Sequence, residues 1–103
     1  MKGSMASAAL APRPLLRVFT HPACSGCTSA VDEAWRLTQL HPEVELRTVS
    51  LANREGLAEA RSEKVTVIPT LILSLGSEES KRWEGSPVAG ELEASIEAVA
   101  PQA

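Results

Sequence analysis

The chain has 103 residues, 44% of them hydrophobic and 22% charged, with a formal net charge of −3. That length supports one domain around one modest core and excludes two. Lys and Arg are scattered, as at Arg36, Arg47, Arg54, Arg61, Lys64, Lys81 and Arg82, so nucleic acid is not an expected partner, and no apolar run approaches the roughly eighteen residues of a membrane span.

Residues 1–13 read as a flexible arm. Met1-Lys2-Gly3-Ser4 precedes a second methionine, Met5, in the manner of a linker remnant. The apolar stretch Ala6 to Ala11 is too short for the core of a leader, although Ala9-Leu10-Ala11 fits a cleavage site, and Pro12 follows at once. The expectation is a cytoplasmic protein, or a secreted or periplasmic one if a leader has been removed, with residues 14–103 as a single domain.

Leu15 to Thr20 is rich in branched and aromatic residues and is bounded by Pro14 and Pro22, which predicts a buried strand delivering the chain to Cys24. From Ser25 to Leu40 the apolar residues Cys27, Ala30, Val31, Ala34, Leu37 and Leu40 recur at steps of three and four. They share one helix face, and His41-Pro42 ends the helix. His41 is expected to act as a cation near the negative end of the helix dipole, and Trp35 and Trp83 as packing residues. Val44 to Leu51 is a second strand, and Asn53 caps a short helix through Leu57, Ala58 and Arg61.

Val65 to Leu73 is strongly β-forming but holds Pro69, which does not fit the middle of a central strand, so the third strand should begin at about Thr70. Gly76-Ser77 supplies a turn into an edge strand around Lys81-Arg82-Trp83, whose charges blunt the edge, and Gly85-Ser86-Pro87 stops it. Leu92, Ile96 and Val99 fall at i, i+4 and i+7, which predicts a final helix laying one stripe on the sheet.

The two cysteines of the chain lie three residues apart, so a bridge between them closes a tiny loop and adds little to stability. That favours a redox or metal role, although the spacing alone also suits two small core residues on a helix. If Cys24 sits just before the first turn of the helix, unpaired N–H groups and the positive dipole end favour its thiolate. Cys27 is one turn further in and more shielded. On that asymmetry Cys24 is the attacking nucleophile and Cys27 the resolving thiol. His21, three residues earlier, is a candidate thiolate partner or proton shuttle, weighed against a solvent-facing loop residue. Ser25 and Gly26, within the motif, are candidate auxiliary residues.

Taken together, a strand, Cys24-Ser25-Gly26-Cys27 at a helix start, a βα unit, Ile68-Pro69-Thr70 opening a hairpin and a closing helix resemble the thioredoxin superfamily, over roughly residues 15–100. The resemblance implies an α/β thioredoxin fold, β-α-β-α-β-β-α, with a central four-stranded mixed sheet and helices on both faces. It implies a cis proline at Pro69 beside the redox pair, and a backbone at Ile68 that pairs with the substrate strand. The implied activity is thiol-disulfide oxidoreduction by dithiol–disulfide exchange on protein disulfides, with electrons exchanged with an upstream reductant or oxidant. The redox-active Cys24–Cys27 disulfide serves as the working group, with no other cofactor and no metal, and the domain acts as a monomer.

The chain also departs from that family. Ala23 stands where thioredoxins carry a tryptophan, and Ser25-Gly26 where they carry Gly-Pro. Val18 replaces a buried acid, and Thr48 the lysine that partners it, so a carboxylate proton relay at those positions is not expected. Gly85-Ser86-Pro87 replaces the Gly-Gly-Asp-type signature of glutaredoxins, so glutathione binding is not implied. The additional N-terminal strand and helix of full-length thioredoxins are not expected, which implies a glutaredoxin-sized core.

Two other classes compete. His21-x-x-Cys24-x-x-Cys27 followed by Val31 and Ala34 also resembles small heavy-metal-associated βαββαβ domains, whose thiolates would select Cu(I) or zinc. That family has no counterpart to Ile68-Pro69-Thr70. The third reading is a non-catalytic thioredoxin-fold adaptor, against which the retention of both cysteines argues.

Overall fold

The computed structural model describes residues 13–88 and 90–99. Its elements run β1 (Pro14–Thr20), α1 (Cys27–Leu40), β2 (Glu45–Ser50), α2 (Arg54–Ser62), β3 (Thr70–Leu75), β4 (Glu78–Glu84) and α3 (Glu91–Val99). The expected N-terminal arm lies outside the described residues except for Arg13, as do residues 100–103. Among the described residues no helix is long and apolar enough to cross a membrane.

The strands form one mixed sheet in the order β2-β1-β3-β4. β1 and β2 are parallel, joined by the crossover through α1, while β1–β3 and β3–β4 are antiparallel. This is the predicted thioredoxin-type order. Pro14 opens β1, a position where its missing N–H is tolerated, and Pro69 lies just outside β3, which begins at Thr70.

Period-two alternation in the central strands sorts side chains onto two unlike faces. On one, Leu16, Val18, Leu71, Leu73 and Trp83 pack against Ala30, Ala34 and Leu37 of α1 and Leu92 and Ile96 of α3. Leu16, Leu37, Leu71, Leu73, Leu92 and Ile96 are at most 2% exposed. Each contributes about 1.5–3 kcal/mol by leaving water, so this face carries most of the hydrophobic stabilisation.

The other face, under α2, buries only Phe19, Val49, Ala60 and Ile72 in its core cluster. Ion pairs occupy the rest. Arg47, Arg17, Ile72 and Arg82 form one cross-strand row, since Arg17 is the register partner of both Arg47 and Ile72, and Ile72 of Arg82. Adjacent like charges in such a row repel. Glu59 of α2 answers by accepting hydrogen bonds from both Arg17 and Arg47, and Glu63 by pairing with Arg17 at 3.0 Å.

Trp35 corrects the sequence reading: it is 58% exposed, not packed, whereas Trp83 is 7% exposed and belongs to the core. The buried face of α1 runs through Ala30, Ala34, Leu37 and Thr38, and Trp35 is about 100° around the helix from Ala34. Helix α1 also starts later than expected, at Cys27 rather than Ser25. Residues 21–27 instead make a turn, in which Cys24 N–H donates to the His21 carbonyl at 2.9 Å and Cys27 N–H donates to the Cys24 carbonyl at 3.3 Å. Asn53 caps α2 as predicted, its Oδ1 accepting from Gly56 N–H at 2.7 Å. His41 occupies the C-cap of α1 and donates its backbone N–H to the Leu37 carbonyl.

Candidate active site

The carboxyl ends of the parallel strands β1 and β2 lie side by side, with Thr20 opposite Ser50, and the start of antiparallel β3 meets them through Thr70 opposite Phe19. The chain leaves β1 for a helix on one face and β2 for a helix on the other, which opens a crevice at that end of the sheet. Cys24 and Cys27 sit there, joined as a disulfide with their Cα atoms 5.4 Å apart.

The two sulfurs have unequal surroundings. Cys27 is the first residue of α1 and 5% exposed, whereas Cys24 is half-buried, in the turn that precedes the N-cap, Gly26. The N-cap provides no side-chain acceptor and no acid stands in the first turn of the helix. The positive end of α1 is therefore left uncompensated beside the cysteine turn, where it favours a thiolate.

Pro69 is buried, and the Ile68–Pro69 peptide bond is cis. A Cβ placed on Gly26 would lie 4.0 Å from Pro69 Cδ, so the proline, 42 residues later in the chain than Cys27, touches the cysteine turn in space. That distance is ordinary van der Waals contact, so space alone does not demand glycine at 26. The Pro69 carbonyl accepts from Gly85 N–H at 2.7 Å, which ties the loop after β4 to the site. Gly85 has φ of +94°, a conformation that favours glycine. Neither the N–H nor the carbonyl of Ile68 pairs with another backbone group among the described residues. Half-buried Ile68, the residue before Pro69, thus presents an unpaired backbone edge.

A cleft of about 310 Å³ opens beside the disulfide, and its walls include Thr20, His21, Cys24, Cys27, Asp32 and Ser50. His21 Nδ1 accepts the Ala23 N–H at 3.0 Å while the His21 carbonyl accepts from Cys24, so His21 shapes the turn that carries the reactive residue. Ser25 is exposed. Val18 is fully buried in the apolar cluster, and its register partner is Thr48, so no acid–lysine pair lies behind the cysteines at those positions.

Sequence reasoning brought together Cys24, Cys27, His21, Ile68 and Pro69. It did not find Thr20, Ser50 or Asp32. For Thr20 and Ser50 the usable signal was their place at the ends of two strands predicted to be parallel; Asp32 carries no such signal, because it follows Val31 on a helix read only for its apolar face.

The order of elements, the mixed sheet and the cysteine pair at the start of α1 define a thioredoxin-fold protein with a thioredoxin-like C-x-x-C motif. A scan against models of known protein families finds no match, and a search of curated protein sequences finds none either. Solved structures do match. Thioredoxin-2, a component of the malaria parasite protein secretion machinery, is similar with a TM-score of 0.75 at 25% identity, over 84% of this chain and 84% of that one. Thioredoxin O2 from Arabidopsis thaliana in its oxidized state gives 0.78 at 18% identity, over 97% of this chain and 89% of that one. Thioredoxin 1 from the thermophilic eubacterium Thermosipho africanus gives 0.72 at 18% identity, over 82% and 91%.

Proposed function

We propose that this protein is a thiol-disulfide oxidoreductase that exchanges disulfides with protein substrates through Cys24 and Cys27. The observation that carries the reading is the unequal placement of the two sulfurs beside Pro69. Cys24 is reachable in the turn before the uncompensated start of α1, and Cys27, the first residue of the helix, is shielded. In this scheme the Cys24 thiolate attacks a substrate disulfide and forms a mixed disulfide. Cys27 then attacks the Cys24 sulfur, which releases the reduced substrate and leaves the Cys24–Cys27 bond. The unpaired backbone of Ile68 receives the substrate strand by edge pairing, with Pro69 holding that segment against the cysteine turn.

The partners on this reading are protein thiols and disulfides together with an upstream reductant or oxidant. The metal-carrier alternative fits the fold poorly, since its βαββαβ order differs from the β-α-β-α-β-β-α order found here. A non-catalytic adaptor has no need of two cysteines joined at the sheet crevice with one reachable and one shielded.

Cys24→Ser should abolish reduction of a disulfide-bonded protein, and Cys27→Ser should accumulate mixed disulfides seen as mass adducts on non-reducing analysis. Normal turnover in both variants refutes the proposal. Equilibration with defined thiol–disulfide buffers then sets the direction of electron flow: a potential near about −270 mV suits a reductase, and one near about −120 mV an oxidant.

A further inference from the structure

The turn that carries Cys24 is held by hydrogen bonds rather than by burial. Pro22, Ala23 and Ser25 are exposed, so no apolar packing fixes the tip of the β1–α1 connection. Its root is firm: the Thr20 carbonyl accepts from Leu51 N–H at 2.8 Å, which ties the end of β1 to the chain leaving β2. From that root two bonds close residues 21–24, and both end on half-buried His21. The His21 carbonyl accepts from Cys24 N–H at 2.9 Å, and His21 Nδ1 accepts from Ala23 N–H at 3.0 Å.

Pro22 takes the second position of this four-residue turn, where its fixed φ is suited. At the first position Asp, Asn and Ser are favoured, because a short side-chain acceptor reaches the N–H two residues on. His21 does the same with a ring: Nδ1 stands one bond beyond Cγ, where asparagine carries Oδ1. An accepting Nδ1 carries no hydrogen, so this nitrogen is committed to the turn.

We propose that His21 is a positioning residue, which fixes the turn so that Cys24 stays against Cys27 in the reduced protein and thereby sets how strongly the pair closes into a disulfide. The inference rests on the oxidoreductase reading above. In the oxidised protein the bond between the sulfurs, with the Cα atoms 5.4 Å apart, itself restrains the turn. In the reduced protein that restraint is gone, and the two bonds to His21 oppose the entropy of an opened turn. Losing the side-chain bond lets the reduced state spread over more conformations while the oxidised state does not. The effective concentration of one thiol at the other then falls.

A role through charge has the opposite sign. The titratable side chains that line the cleft besides the cysteines are His21 and, from α1, Asp32; the end of β2 contributes Ser50. An imidazolium there would favour a thiolate, and with it the reduced pair, so its removal would make closure easier. Loss of a turn restraint makes closure harder.

The test equilibrates the protein at neutral pH with glutathione and its disulfide. Two glutathione thiols are oxidised to one disulfide as the Cys24–Cys27 bond takes up two electrons and two protons to become two thiols. His21→Ala should lower the equilibrium constant for closure about threefold to tenfold, the range of one hydrogen bond of ordinary net strength, which raises the potential by about 15–30 mV. His21→Phe, a ring without an acceptor, should match alanine, which separates the bond from packing. His21→Asn keeps an acceptor at the δ position and should return to within about twofold of wild type. Far-UV circular dichroism of the oxidised variants should match wild type, since the disulfide keeps the turn closed. An unchanged or lowered potential in His21→Ala, a wild-type potential in His21→Phe, or a His21→Asn potential that tracks alanine overturns the assignment. A wild-type pair that neither exchanges with glutathione nor reduces a protein disulfide refutes the oxidoreductase reading instead.

Discussion

Gly56 sets the seating of α2 on the sheet, and replacing it with alanine tests that seating. It is buried in the first turn of the helix, where a Cβ would lie 2.7 Å from the Ser50 carbonyl carbon, closer still to the Ser50 oxygen, and 3.0 Å from Asn53 Oδ1. Comfortable carbon–carbon contact begins at about 3.5 Å, and the Ser50 oxygen is the tighter contact, so helix or strand end must withdraw by more than about 1 Å. Intrinsic propensity runs the other way, favouring Ala over Gly in a helix by about 1 kcal/mol. Overpacking against backbone costs about 1–3 kcal/mol, and disturbing the bond from Gly56 N–H to Asn53 costs about 1 kcal/mol more. The clash wins, and Gly56→Ala should destabilise the protein by about 1–3 kcal/mol. In a domain of this size that lowers the melting temperature by about 5–20 °C, read by circular dichroism and checked by urea unfolding. A melting temperature at or above that of wild type would refute the close approach of α2 to Ser50.

Other consequences concern the ionic face and the two tryptophans. Burial raises the Glu59 pKa, but hydrogen bonds from Arg17 and Arg47 outweigh it and the net shift is downward. A depressed folded-state pKa means that stability is fully present above the unfolded value, near about 4.3, and is lost as pH falls through the folded one. Glu59→Gln should therefore cost about 1–3 kcal/mol at pH 7 by removing the carboxylate that Arg17 and Arg47 share and leaving Arg17 to Glu63 alone, and the difference from wild type should close as pH falls through the depressed folded-state value; a constant difference at all pH values would contradict the pairing. Acrylamide should strongly quench the emission of one tryptophan and spare the other, and Trp35→Phe should remove the quenchable component. Equal quenching before and after that substitution would place Trp35 in the interior.

The order of elements was legible because each strand and helix announces its period locally: Leu15 to Thr20 as a branched run, Ala30, Ala34 and Leu37 as a stripe, Asn53 as a cap. The start of α1 is not legible because periodicity cannot distinguish a helix turn from the irregular turn at residues 21–27, whose bonds to the His21 and Cys24 carbonyls are not written in side-chain pattern. Trp35 stays exposed despite its size because position on the helical wheel, not size, decides burial. The pairing of Arg17, Arg47 and Arg82 with Glu59 and Glu63 depends on strand register across residues 17–82, which no local signal encodes. The same holds for the meeting of Gly26 with Pro69, which the family resemblance supplied and spacing did not.

The unlike faces of the sheet give the molecule two independent sensitivities. The α1/α3 side is oily and loosens on cooling, whereas the α2 side leans on charges that added salt screens and acid neutralises. In concentrated salt or mild acid, α2 is thus the segment whose amides should exchange first with solvent, while α1 and the disulfide it carries stay docked. Because Ser50 belongs to both the α2 anchorage and the cleft wall, such an opening would loosen one wall of the cleft that both cysteines line. Ionic strength then becomes a handle on access to the cysteine pair.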